Sequence, residues 1–409
     1  MFNPEGALFL LVLLTAAGLL QPLSVRFNIP YAVLLVILGF IGSEIATRIL
    51  AVDIGIRWEH VKPLVFNVFI PILIFAAALK IDLSALWRNG LWIFILAVPM
   101  AVLGIFLVAL FIYQGIGHPA GFPWESALLF AVLVSATDPA GLSGLFKKSD
   151  ATNNLFVVLE GESLFNDAVA VVLFTLLLAL FAHEATTPDY SFYIYDFIIV
   201  FTVGIGVGLV AGGLLVLCVK FIQHDYLRTL FSLLFCYGIY IVAGAELYVS
   251  NVMAVLSTGL MFGYFSRQVL GEGSFVPRFW EFAEHITTIL IFLLAGITIT
   301  LGMFTDRWFA MLMGIVVVLA VRAFIFFVLL PLLSLLPGIR DFSLLQRGLL
   351  TWGGVRGTVT LALALSLPLD VPGWYTIQSM AYGVVLFSLF VQLSSMPSLL
   401  GKCRPIPDN

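Results

Sequence analysis

The chain has 409 residues, of which 62% are hydrophobic and only 10% charged, with 19 Lys and Arg against 23 Asp and Glu. A soluble domain carries about 25% charged residues, so at a mean hydropathy of +1.13 a water-soluble globule of 44.8 kDa is excluded for want of polar surface. Strands of a membrane β-barrel alternate polar and apolar side chains over about 10 positions, which the long unbroken apolar runs rule out, and a net charge of -4 gives no basic field for nucleic acid.

The composition therefore predicts an all-α polytopic membrane protein. Apolar runs bounded by charges, Pro or Gly fall at 6–25, 28–50, 61–79, 90–113, 124–146, 155–182, 192–219, 229–247, 249–266, 279–302, 308–336, 343–368 and 374–400. A bilayer needs about 20 residues per span, so about thirteen spans fill the chain, and residues 1–409 read as a single transmembrane domain without a soluble regulatory domain. The first residues carry no basic stretch and no small-residue cleavage site follows, so the first run reads as a retained helix. Cys218, Cys236 and Cys403 lie in or beside apolar runs without a C-x-x-C pair, which predicts neither a disulfide framework nor a metal centre.

Basic residues accumulate on the inner side of membrane proteins. With the N-terminus outside, thirteen Lys and Arg fall in inward segments, among them Arg26, Lys147 and Lys148, while only Arg48, Arg57, Lys62 and Arg307 fall outside. The asymmetry depends on an odd span count and predicts an N-out, C-in orientation. Six spans, a lone seventh and six more is the arithmetic of two inverted halves joined by a linker helix, a plan common in transporters. Apolar segments broken at corresponding places would mark such a repeat. The fifth span contains Thr137-Asp138-Pro139 in mid-run, and the twelfth contains Gly353-Gly354-Val355-Arg356-Gly357.

Ionisable residues inside spans are costly and mark functional pathways by default. Here they are Asp138, Glu160, Glu162, Asp167, Arg322 and Arg356, with His285 near an edge. Pro139 lacks an N–H and disfavours helical geometry at Asp138, so the helix should open there. Carbonyls freed by the opening, with the oxygens of Thr137 and Asp138, would suit a hard cation. On a sixth-span helix Ser163 and Asp167 share one face, and Glu162 and Asn166 the neighbouring one. Two carboxylates held close in a low dielectric cannot both stay ionised cheaply, so protons and small cations can compete for such a pair. Arg322 cannot lose its proton and needs a partner, for which Glu162 is the natural choice, and Arg356 could either offset charge at the opened helix ends or snorkel to the membrane edge.

Together these motifs, and Leu361-Ala362-Leu363-Ala364-Leu365-Ser366-Leu367-Pro368 after the glycines, resemble the monovalent cation:proton antiporters of the NhaP/NHE branch across essentially the whole chain. The resemblance implies a fold with two crossing unwound helices, a homodimer, and electroneutral exchange of a monovalent cation, sodium first and lithium or potassium as alternatives, for protons. It gives Asp167 the central place in binding the cation or the proton, with Thr137, Asp138 and Ser163 shaping the site. It further implies Asn166 as the mark of the electroneutral type and Glu162–Arg322 as a structural ion pair. No cofactor and no enzymatic activity are implied. One departure concerns the third span, where the family often has Phe-Glu-Ala-Ala-Leu and this chain has Phe75-Ala76-Ala77-Ala78-Leu79, so an accessory carboxylate is missing.

Two other readings stand beside this one. An uncoupled channel or uniporter could exploit the carboxylates, although no segment resembles a selectivity-filter loop. An intramembrane serine protease could use Ser143 in Gly141-Leu142-Ser143-Gly144 with His285, but a nucleophile needs a base in hydrogen-bond reach, and Ser143 falls close to the Lys147-Lys148 membrane edge. Finally, Gly204, Gly208 and Gly212 recur every fourth residue of the seventh span, a pattern for close helix approach, within the chain or between two copies.

Overall fold

The computed structural model describes residues 4–27, 29–49, 58–116, 121–139, 150–182, 190–271, 273–335 and 342–400. Among the described residues all regular structure is helical. In order, the main helices are α1 (Pro4–Phe27), α2 (Tyr31–Glu44), α3 (Ile70–Lys80), α4 (Ala101–Gly115), α5 (Trp124–Leu133), α6 (Asp150–Ala182) and α7 (Tyr190–Phe221). They continue with α8 (Asp225–Ile241), α9 (Asn251–Val269), α10 (Phe275–Thr298), α11 (Trp308–Phe324), α12 (Leu344–Trp352), α13 (Thr358–Leu365) and α14 (Trp374–Phe387).

Helices follow from the solvent these residues require: hydrocarbon offers no partner to a backbone N–H or C=O, so each segment must satisfy its own. Where starts carry caps, the signals are local. Ser250 accepts from the Met253 N–H at 3.1 Å to begin α9, and Ser343 and Gln346 form a reciprocal capping box at α12. Large apolar side chains point outwards, with Leu19 72%, Val210 66% and Leu332 62% exposed. That outward pattern suits lipid and would be untenable in water.

Ten helical segments among the described residues are long and apolar enough to cross a membrane. The remaining three predicted spans differ in kind. Asn251–Ser266 is a shorter apolar helix. The fifth and twelfth are interrupted: α5 stops at Leu133 and the chain has no regular structure over 136–139, while α12 stops at Trp352 and the chain has none over 354–357 before α13. The far side of the first interruption, with Ser143, Lys147 and Lys148, lies outside the described residues, as do Arg57, Arg340 and Cys403.

The described residues form two compact units. The first takes Met1–Lys62, Leu91–Asp167 and Ile289–Asn409. In it α11 packs on α14 and α4, and α14 also receives α5 and α13. Its core gathers Trp92, Phe156, Leu159, Phe326, Leu350 and Met396. Gly39 of α2 lies against the Leu293 carbonyl and Gly296 of α10, an approach with no room for a side chain on either.

The second unit takes Pro63–Gly90 and Ala168–Thr288, and centres on α9 between α3, α7 and α8. Phe75 packs against Trp280 in a tilted pair with centroids 4.4 Å apart, and the Trp280 indole N–H donates to the Ser232 hydroxyl at 2.9 Å. The Gly204, Gly208 and Gly212 stripe of α7 is used here, within the chain: Gly204 meets Ser250, Gly208 the Ala254 carbonyl, and Gly212 Met261, all on or beside α9. Cys236 is buried and Cys218 half-buried, both as free thiols.

Candidate functional site

The interrupted segments of the first unit meet each other. The Asp138 N–H donates to the Val355 carbonyl at 2.7 Å, and the Thr360 hydroxyl donates to the Ala136 carbonyl at 3.3 Å. Thr358, at the start of α13, donates twice to the Asp138 Oδ2, from its hydroxyl at 2.9 Å and its N–H at 3.3 Å. A carboxylate at a helix N-terminus is favoured by the free N–H groups there. Gly357 lies so close to the Asp138 side chain that a methyl group on it would overlap the carboxylate.

The middle of α6 faces the first break. The Thr137 N–H, freed by the opening of the helix, donates to Asp167 Oδ1 at 3.1 Å. Ser163 donates its hydroxyl proton to the Thr137 carbonyl, and Asn166 donates an amide N–H to the Ser135 carbonyl at 2.6 Å. Proline at 139 thus releases backbone groups that would be ruinous if left bare in an apolar interior, and α6 together with α13 satisfies them with side chains. The carbonyls of 135, 136 and 137 each already accept a hydrogen bond, so the first break is not a row of empty ligands. What it offers a cation is their second lone pairs, the Ser163 oxygen whose proton is already committed, and the Asp138 and Asp167 carboxylates. Thr137, Ser163 and Asn166 are buried, while Asp138 and Asp167 are half-buried.

Behind this cluster sits a buried ion pair. Arg322 of α11 donates Nη1–H and Nη2–H to the two oxygens of Glu162 at 3.0 and 3.2 Å. Its Nε–H donates to the Leu350 carbonyl of α12 at 3.2 Å, and its guanidinium lies 5.0 Å over the Phe326 ring. A methyl at Gly354 would collide with that guanidinium, so the second break is shaped to admit it. One arginine therefore fastens α6, α11 and α12 through a planar fork that a lysine could not reproduce. Arg356, also buried, donates Nη1–H to the Gly354 carbonyl at 2.9 Å and so satisfies one of the acceptors that its own break exposes.

Sequence reasoning did not single out Thr358 and Thr360. Their signal was present, as two threonines at alternate positions directly after the glycine-rich break. Threonine on an apolar helix start is ordinary, however, and only the crossing of the breaks makes these two partners of residues 136 and 138. Outside the cluster, Ala76 lines a cavity of about 230 Å³ in the second unit, with Lys80, Ser266 and Glu281 among its walls. Lys80 pairs there with Glu284 at 2.5 Å, and His285 is exposed one residue further on.

Interrupted helices that meet inside an apolar domain beside ionisable side chains are a construction of secondary transporters. The family described as "Sodium/hydrogen exchanger, transmembrane" matches residues 9–402. This chain belongs to the sodium/hydrogen exchanger family. Among curated relatives, the Na(+)/H(+) antiporter ApNhaP of Aphanothece halophytica is 32% identical over 98% of this chain and 75% of its own length. The low-affinity Na(+)/H(+) antiporter NhaS1 of Synechocystis is 32% identical over 96% of this chain and 73% of its own. In fold, the chain matches the sodium proton antiporter MjNhaP1 of Methanocaldococcus jannaschii with a TM-score of 0.80 at 21% identity, covering 97% of this chain and 98% of that one.

Proposed function

We propose that the protein is an electroneutral antiporter that exchanges a monovalent cation, sodium first, for a proton by alternating access at one site. The observation that carries this reading is the junction at Asp167: a carboxylate on an apolar helix accepts the N–H of Thr137 at 3.1 Å, beside Asp138, where two broken helices meet. A group so placed binds a cation when it is charged and a proton when it is not, and the two occupants exclude each other. Exchange follows if the loaded site, but not the empty one, moves between the two faces of the membrane. Thr137, Asp138 and Ser163 complete the oxygen set in this scheme, Asn166 positions the first break, Glu162–Arg322 holds the helices, and Arg356 offsets charge at the crossing. The names of the curated relatives support sodium as the cation.

The reading places the protein in the plasma membrane with the N-terminus outside, supported by the distribution of Lys and Arg, and as two inverted six-helix halves, supported by breaks in the fifth and twelfth segments. It also takes the protein as a homodimer, on the resemblance. Because α9 takes up the α7 glycines, the dimer contact is assigned to another face. In proteoliposomes, an imposed sodium gradient should drive a change in lumenal pH, and Asp167→Asn should abolish it without loss of folded protein. Full exchange by that variant, or large sodium currents without proton movement, would overturn the proposal.

A further inference from the structure

Two buried atoms beside the junction have no work in the contacts described so far. Because Asn166 gives its amide N–H to the Ser135 carbonyl, the remaining amide atom is the acceptor Oδ1. Arg356 uses Nη1–H on the Gly354 carbonyl. Among the described residues, Asn166 Oδ1 and Arg356 Nε are buried without a hydrogen-bond partner, on residues only 4% and 5% exposed. Buried polar groups are almost always satisfied, so such a pair calls for an explanation.

Both residues line one cavity of about 50 Å³ in the first unit, whose other polar walls are Ser135, Glu162 and Arg322. The chemistry of the two atoms selects the occupant. Oδ1 can only accept and Nε–H can only donate. A cation drawn to Oδ1 would meet the permanent charge of Arg356, and an anion drawn to Nε–H would meet the amide oxygen and Glu162. Glu162 and Arg322 are hydrogen-bonded to each other through both carboxylate oxygens, so neither presents an uncompensated charge to the cavity. A small neutral molecule that both accepts and donates fits, and a water needs only about 10–15 Å³ of such space.

The geometry points to a buried water site in this cavity that accepts from Arg356 Nε–H and donates to Asn166 Oδ1. Through it Arg356 becomes a positioning residue for the ion site. Asn166 holds the Ser135 carbonyl, two residues before the Thr137 N–H that Asp167 accepts, so the water joins the second break to the first alongside the direct Asp138–Val355 and Asp138–Thr358 bonds. The positioning role rests on the antiporter reading; the water site does not.

X-ray radiolysis creates hydroxyl radicals where water already sits, which makes Phe326, a wall of the cavity only 1% exposed, a reporter, with the fully buried Phe130 as control. For the full chain in lipid nanodiscs, oxidation of Phe326 should exceed that of Phe130 several-fold and should carry the oxygen isotope of slowly exchanging water. Equal, background labelling of the two rings would overturn the water site. The role is read from a double-mutant cycle of Arg356→Met and Asn166→Leu, scored by the half-saturating sodium concentration and by the thermal midpoint. Each single change should raise that concentration about tenfold, the scale of losing a hydrogen bond to a charged group, and the double change no further. Additive effects would refute the link and leave the water standing. If wild type shows no exchange, the antiporter reading fails while labelling and midpoints still decide the site and the link.

Discussion

Thr358 donates two hydrogen bonds to one oxygen of Asp138, across the meeting of two broken helices and 220 residues of sequence. The side-chain bond can be removed without touching the backbone one. Thr358→Val keeps the shape and the N–H but loses the hydroxyl, and a hydrogen bond to a charged group contributes about 1.5–3 kcal/mol. The half-saturating sodium concentration should rise by about tenfold or more on that scale, and Thr358→Ser should restore it. Unchanged kinetics in the valine variant would show that this bond does not shape the ion site.

Glu162 and Arg322 are both nearly inaccessible, and breaking such a pair on one side leaves a buried charge bare at a cost of about 3–5 kcal/mol. Glu162→Gln or Arg322→Met alone should therefore lower the thermal midpoint sharply in detergent. The two together should cost less than the sum, because neither charge remains. Additive losses would mean that each residue is stabilised by something other than its partner.

At the second break, adding a methyl group is a steric test. Gly357→Ala would push into Asp138, and Gly354→Ala into the Arg322 guanidinium. Both should eliminate exchange or stability, whereas Gly348→Ala on α12, which meets open space, should be neutral or stabilise by up to about 1 kcal/mol. Transport by purified variants at matched protein levels separates the cases. An active Gly357→Ala would show that the breaks need not approach this closely.

The α7 stripe offers a control within one helix. Gly208 touches the Ala254 carbonyl of α9, whereas Gly206 has nothing within 4 Å. Gly208→Leu should separate the helices and cost about 1–3 kcal/mol or more by overpacking. Gly206→Leu should leave the melting curve and the size-exclusion profile in place. If Gly206→Leu alone changed the oligomer, the free side of α7 would be a subunit contact.

The class of this protein was legible in its sequence because a bilayer imposes a length and a composition on every segment, and thirteen apolar runs meet that demand without regard to their neighbours. The breaks were legible for an equally local reason. Pro139 cannot continue a helix, and paired glycines at 353 and 354 weaken one. The spacing of Ser163, Asn166 and Asp167 also needed only helical geometry.

What only the tertiary structure decided was which of these features face each other. Thr358 and Thr360 became part of the site because α13 starts where the first break passes. The freed carbonyls at 135, 136 and 137 acquired side-chain donors because α6 and α13 converge on them. The glycine stripe was assigned to packing within the chain because α9 occupies it. Local rules fix where a backbone must open, since that depends on a residue and its neighbours in sequence. They cannot say which partners close the opening, because hydrogen bonds between segments 26 to 224 residues apart are chosen by packing.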